Sequence, residues 1–169
     1  MPKSKTMKKL YRNSNIDQTK ILSKDIVSKY EDFAKNILGI EFHDINLLIT
    51  ALTHRSYINE HKTAAKDHNE RLEFLGDAVL ELVSSDFLYN QYDLSEGVMT
   101  AVRAALVRTE SIGDAGVEMG YEPLVRMSRG EKNGSKRAHA VILADCFEAV
   151  IGAIYLDQGY ATAAAVIQR

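Results

Sequence analysis

The chain of 169 residues is short of several residue types, and each shortage excludes something. A single cysteine, Cys146, rules out an internal disulfide and makes a reducing compartment the natural setting. Two prolines and no tryptophan leave long stretches without helix breakers. Strand-like alternation is scarce and strong helix formers dominate, so an all-α fold is expected. No apolar run reaches membrane-spanning length, and the lysine-rich start lacks the apolar core of a signal peptide. A cytoplasmic protein with no membrane partner is therefore expected. Net charge is also small, a formal −2, which argues against a generic nucleic-acid binder. Its distribution says more. In the first twenty residues Lys3, Lys5, Lys8, Lys9, Arg12 and Lys20 stand against Asp17 alone, a net of +5 that leaves −7 for the rest.

What is present is apolar enough, at 46% hydrophobic, to bury one core. Residues 1–22 have few apolar anchors and read as a basic, disordered arm, either an inert tail or an extra contact with phosphates. Residues 23–169 read as one domain. Ser23 is placed to cap a helix to Leu38, with Ile26, Val27, Tyr30, Phe33, Ala34 and Ile37 on one face and Gly39 at its end. Asp44 caps a second helix through His54, and 58–68 reads as a loop.

Residues 69–77, NERLEFLGD, open an apolar run to Tyr89. Leu72, Leu75, Val79, Leu82 and Val83 recur at helical steps, which predicts a buried face. Beside it Glu70, Glu73, Asp77 and Glu81 stack at i+3, i+4 and i+4. Like charges at that spacing destabilise a helix, and Gly76 in mid-helix costs roughly 1 kcal/mol against alanine. A divalent cation would offset the first cost, and a close neighbouring backbone would explain the glycine. A solvated acidic face is the ordinary alternative. A second pair shifts the balance: residues 142–155, ILADCFEAVIGAIY, carry only Asp145 and Glu148 as charges. So apolar a helix should be buried, and buried carboxylates persist only when paired or metal-bound. If the two helices pack, Glu73, Asp77, Asp145 and Glu148 converge on an all-oxygen pocket suited to Mg²⁺ or Mn²⁺.

NERLEFLGD resembles the signature of the ribonuclease III family. ALTHRSY at 51–57, SEG at 95–97 and ILADCFEAVIGAIYLDQGY at 142–160 match that family's other segments in the same order, over about Tyr30 to Arg169. The resemblance implies a helical endonuclease domain that dimerises. It also implies Mg²⁺-dependent hydrolysis of double-stranded RNA, Mn²⁺ substituting, to 5′-phosphate and 3′-hydroxyl ends in rRNA and mRNA precursor processing. By resemblance Glu73, Asp145, Glu148 and Asp77 match metal ligands, and Asp77 and Glu148 the residues closest to catalysis. Glu70 and Glu96 match supporting acids, and Phe74 the aromatic that enters a pocket on the second subunit of a homodimer. From its helix position alone, Phe74 could equally pack in the core. Val141 and Cys146 depart from common family residues without touching the acids.

The remaining signals are weaker. His54 and Arg55 read as packing and helix-end hydrogen bonding, because one histidine without a partner at ligand spacing is weak evidence for metal. Glu96, behind the cap Ser95, suits the first turn of a helix to about Arg108, and Arg103 and Arg108 read as surface. Thr109 opens another helix ending at Gly120. Residues 126–137 read as a flexible basic loop, either simply solvated or, through Arg129, Lys132, Lys136 and Arg137, in contact with RNA. Cys146 reads as a small buried hydrophobe. The helix at ATAAAVIQR stops without a cap. Family members usually continue into a double-stranded-RNA-binding domain, so a truncated chain is expected. Two other classes stay open: an RNA-binding relative without chemistry, which should have lost carboxylates, and a purely structural helical dimer, which gives no reason for Asp145 and Glu148.

Overall fold

Helix formers without interrupting prolines give what the composition implies. The computed structural model describes residues 17–62, 65 and 67–169, and among these it is helical with no strand. Helix α1 (Lys24–Phe33) runs on through one π-helical turn, Ala34–Leu38, which Gly39 ends at φ 67°. Helices α2 (Ile45–Ala51) and α3 (Arg55–Glu60) follow, then the long α4 (Glu70–Gln91). Next come α5 (Glu96–Leu106), α6 (Thr109–Glu118) and the single turn α7 (Arg129–Lys132). The second long helix, α8 (Lys136–Gln158), leads into α9 (Tyr160–Ile167).

Helix α8 is the axis of the core and packs against α2, α4, α6 and α9. Ile142, Leu143, Cys146, Ala149, Val150, Ile151, Ala153 and Ile154 are buried there with Leu38, Leu48, Leu52, Leu72, Val79, Val83 and Tyr121. By length and composition α8 would pass for a membrane span, contrary to the expectation from sequence. Its apolar residues are instead buried in the core. Both ends are fixed. Ser135 Oγ accepts from the Ala138 N–H at the start. At the finish the buried Asp157 carboxylate accepts from the backbone N–H groups of His43 and Asp44, at 2.8 and 3.0 Å, where α2 begins.

Several boundaries differ from the sequence reading, and tertiary contacts explain them. The second helix ends at Ala51 because Thr53 leaves it for an isolated bridge to Arg126. His54 accordingly opens α3, which takes residues 55–60 and shortens the expected loop. On α1 Leu38 is buried while Ile26 and Ile37 face outward. On α4 Leu80 is buried and Leu82 exposed, because Leu80 packs with Ile112 and Ala144, so the face turns to meet α6 as well as α8. The basic loop is structured: Arg126 is buried, Arg129 and Lys132 lie on α7, and Lys136 and Arg137 form the first turn of α8. The arm expected over residues 1–22 lies outside the described residues up to 16. From Asp17 the chain is part of the fold: the Gln18 N–H donates to Asn46 Oδ1 at 2.7 Å, and its side-chain oxygen accepts from Arg126 Nη1 at 2.9 Å.

Candidate metal and active site

The site begins with two glycines. A Cβ at Gly76 would collide with the carbonyl oxygen of Glu148 and lie 2.8 Å from the Gly152 nitrogen, and one at Gly152 would meet the carbonyl of Leu72. The backbones of α4 and α8 therefore touch at the turns that carry the acids. This accounts for a residue with poor helix propensity in mid-helix. Gly76 is flanked by Glu73 and Asp77, and the carbonyl against it belongs to Glu148, one turn after Asp145. Acids about seventy residues apart in sequence are thus carried on adjoining turns. The sequence reading missed Gly152, whose position four residues after Glu148 was the available signal.

The acidic stripe then divides. Glu70 sits 3.3 Å from Arg55 Nη1 and 3.8 Å from His68 Nδ1, and Glu81 pairs with Arg103 Nε at 2.9 Å. Arg103, read from sequence as surface, also donates to Ser85 Oγ at 2.8 Å. Between these pairs, Glu73 and Asp77 have no cation within ion-pair distance among the described residues, and neither do Asp145 and Glu148. Burial first, then the fields of Asp145, Glu70 and Asp77, pushes Glu73 up to about 6. Burial and then Asp77, Glu73 and Asp145 push Glu148 up to about 7. Burial raises Asp145 as well, opposed by His54 and reinforced by Glu70. The negative fields of Asp77 and Asp145 thus fall on Glu73 and Glu148 and resist their ionisation. As placed, no three His, Cys, Asp or Glu side chains among the described residues close to metal-coordination spacing. The all-oxygen donor set and the cost of ionising it both fit a hard divalent cation.

A family model described as Ribonuclease-III-like matches residues 44–169. The chain belongs to the ribonuclease III family. It is 51% identical over 133 residues to ribonuclease 3 of Clostridium acetobutylicum, covering 78% of this chain and 57% of that one. Against ribonuclease 3 of Enterococcus faecalis it is 48% identical over 125 residues, covering 73% and 54%. This chain therefore spans somewhat over half the length of these curated relatives. A solved nuclease domain of ribonuclease III from Campylobacter jejuni, described as structurally flexible in a region involved in dimer formation, superposes with a TM-score of 0.73 at 39% identity. That match covers 82% of this chain and 93% of that one.

The other candidate residues of this ribonuclease III fold scatter around the centre. Glu70 borders it, and its field reaches both Glu73 and Asp145. Glu96 does not join it within one chain. Its carboxylate accepts from Thr100 Oγ1 at 3.1 Å and lines a groove of about 450 Å³ with Ser85, Asp86, Tyr89 and Arg103, beside the far half of α4. Phe74 is 82% exposed, which excludes the core alternative. Arg129, Lys132, Lys136 and Arg137 are all exposed. Cys146 is buried with Asn69 Nδ2 3.6 Å from its sulfur, and burial pushes its thiol up to about 12, away from nucleophilic use.

Proposed function

We propose that this chain is the nuclease domain of a cytoplasmic, Mg²⁺-dependent endoribonuclease. In this reading it hydrolyses double-stranded RNA to 5′-phosphate and 3′-hydroxyl ends in rRNA and mRNA precursor processing, and Mn²⁺ can replace Mg²⁺. The observation that carries the reading is the contact of Gly76 with the Glu148 carbonyl, which seats the acids of two distant segments on adjoining turns. Glu73, Asp77, Asp145 and Glu148 would hold the ion. A divalent cation bound there supplies an acidified water and neutralises charge on the scissile phosphate. Before accepting it, Glu148 and Glu73 must shed the protons that burial and mutual repulsion favour. Asp77 and Glu148, which the family resemblance matches to the residues closest to catalysis, are assigned to it, with Glu70 supporting from the edge and paired with Arg55.

The substrate would be recognised by A-form shape and backbone, since the deep, narrow major groove of duplex RNA is closed to side chains. Arg129, Lys132, Lys136 and Arg137 offer the phosphate contacts. Phe74, Leu82 and Tyr89, at 82%, 57% and 75% exposure, form an apolar stripe on α4 that fits a homodimer seam. Glu96, outside the cluster of its own chain, lies beside that same outer face.

Incubating the protein with a long RNA duplex, with and without Mg²⁺, tests the reading. Metal-dependent cutting that Asp77→Asn abolishes is the expected result. A duplex left intact by the unaltered chain in Mg²⁺ would reject the enzyme in favour of an RNA-binding relative. Charge reversal at Lys132 and Lys136 should lower the salt slope of duplex binding, by roughly 0.9 for each phosphate that is no longer neutralised.

A further inference from the structure

Helix α3 runs from the rim of the acid centre to the wall of a pocket. Arg55, in its first turn, pairs with Glu70. His61, its C-cap, lies six residues on, about 9 Å along the helix. Between α3 and α7 is a cavity of about 440 Å³, lined by Tyr57, Glu60, His61, Met127, Arg129 and Lys132. Two bonds tie its sides together: Ser56 Oγ accepts from the Ser128 N–H at 3.0 Å, and Glu60 Oε2 accepts from the Arg129 N–H at 3.2 Å.

One wall is a stack of three planar groups. The guanidinium of the buried Arg126 lies 4.3 Å from the centroid of the Tyr57 ring. The His61 ring lies 4.2 Å from the same ring, inclined by 26°. Two groups cannot share one face at those distances, so Tyr57 is sandwiched and His61 is the outermost plate. The His61 side chain is exposed, and among the described residues it makes no hydrogen bond or ion pair. Stacking alone therefore holds it. The charges nearby are unbalanced. Among the described residues Arg129 and Lys132 have no acid within ion-pair distance, and Nη2 of Arg126, behind Tyr57, has no hydrogen-bond partner. Glu60 is the one acid of the lining, and one of its oxygens is already taken.

An exposed aromatic plate beside uncompensated cations is how proteins hold unpaired nucleotides, the base stacking and the phosphate meeting the charge. The cavity has the size of a site for one small ligand. A base inside a duplex has no free face to offer it. The geometry points to a nucleotide pocket in which an unpaired base stacks on the outer face of His61 while Arg129 and Lys132 hold its phosphate. The choice of RNA over a free nucleotide rests on the reading of the chain as a nuclease domain. At ~3.4 Å per nucleotide step the pocket is a few steps from the acid rim. It is thus a subsite for an unpaired residue flanking the duplex, separate from the bond that is cut.

The test uses a five-nucleotide single-stranded RNA with 2-aminopurine at its centre, titrated with the chain in chelator. Saturable quenching is expected, and adenosine 5′-monophosphate should displace the probe at concentrations where inorganic phosphate does not. His61→Ala, an exposed change that should hold the melting temperature, is expected to weaken the probe roughly 5- to 100-fold. It should leave the affinity for a blunt duplex unaltered. His61→Phe, which restores a plate without the imidazole, should bind as the parent does. Absence of quenching, displacement by phosphate as readily as by the nucleotide, or parental affinity in His61→Ala overturns the inference. Cleavage of a long duplex in Mg²⁺, measured separately on the unaltered chain, decides the nuclease reading: a chain that cuts without quenching loses only the pocket, and one that quenches without cutting loses its place beside a cleaved duplex.

Discussion

The two halves of α4 carry the same kind of residue and treat it in opposite ways. In the far half Glu81 is matched to Arg103, which also holds Ser85, and the result is an ordinary partly exposed ion pair. In the near half Glu73 and Asp77 face Asp145 and Glu148, and burial sets acid against acid. A continuous stripe in sequence is therefore two objects in space. The half that follows local rules forms an ordinary ion pair, and the half that violates them is the candidate site.

The sharpest way to break the contrast is to force the helices apart. Gly76→Ala would drive a methyl group into the Glu148 backbone, which cannot yield as a flexible side chain could. A loss of about 3 kcal/mol, or about 10 °C in melting temperature, is expected together with loss of cleavage. Gly97→Ala, with nothing within 4 Å of the new methyl group, should leave the melt unchanged or raise it slightly.

Removing a repelling acid should do the opposite to stability. Glu148 binds its proton more tightly in the folded chain, so folding without metal loses stability as pH rises from the ordinary carboxylate range to about 7. Glu148→Gln should escape that loss, melting above the parent at pH 8 in chelator by ~1 kcal/mol, discounted because the group is half exposed. The same variant should lose cleavage by on the order of 10²-fold or more. A parent that melts higher than the variant under those conditions would contradict the repulsion.

Proton competition predicts how the metal responds to pH. Affinity for Mn²⁺ should climb as Glu73 and then Glu148 ionise, through about 6 and about 7, and flatten above. Titrations at a series of pH values would show it, and a flat profile would detach these acids from the ion. The smallest effect belongs to the paired half. Glu81→Gln should cost about 0.5 kcal/mol in a chemical melt and leave cleavage unaltered.

Legibility followed the range of the interactions. Helix periodicity, the cap at Asp44 and the glycine stops at Gly39 and Gly120 are local, and their signals read correctly. Glu73, Asp77, Asp145 and Glu148 were readable as candidates because charge inside an apolar run is conspicuous without coordinates. What escaped depended on partners far along the chain. Arg126 looked like one more loop cation, yet it is 9% exposed, bonded to Gln18 and stacked on Tyr57 with 4.3 Å to the ring centroid. Leu82 had the right period for burial and the wrong side, because periodicity gives the width of a face but not how many helices pack on it. Phe74 was undecided until exposure placed it outside.

The carboxylate of Asp157 gains weight from this arrangement. By gripping the two amides that lead into α2, those of His43 and its cap Asp44, it works as an axial stop for α8, nine residues beyond Glu148. The central helix cannot slide along its length without releasing that grip at one end or the serine cap at the other. The height of Asp145 and Glu148 opposite Gly76 is thereby indexed from a point well away from any chemistry, and loosening Asp157 should be felt first as a blurred register between the two acidic turns.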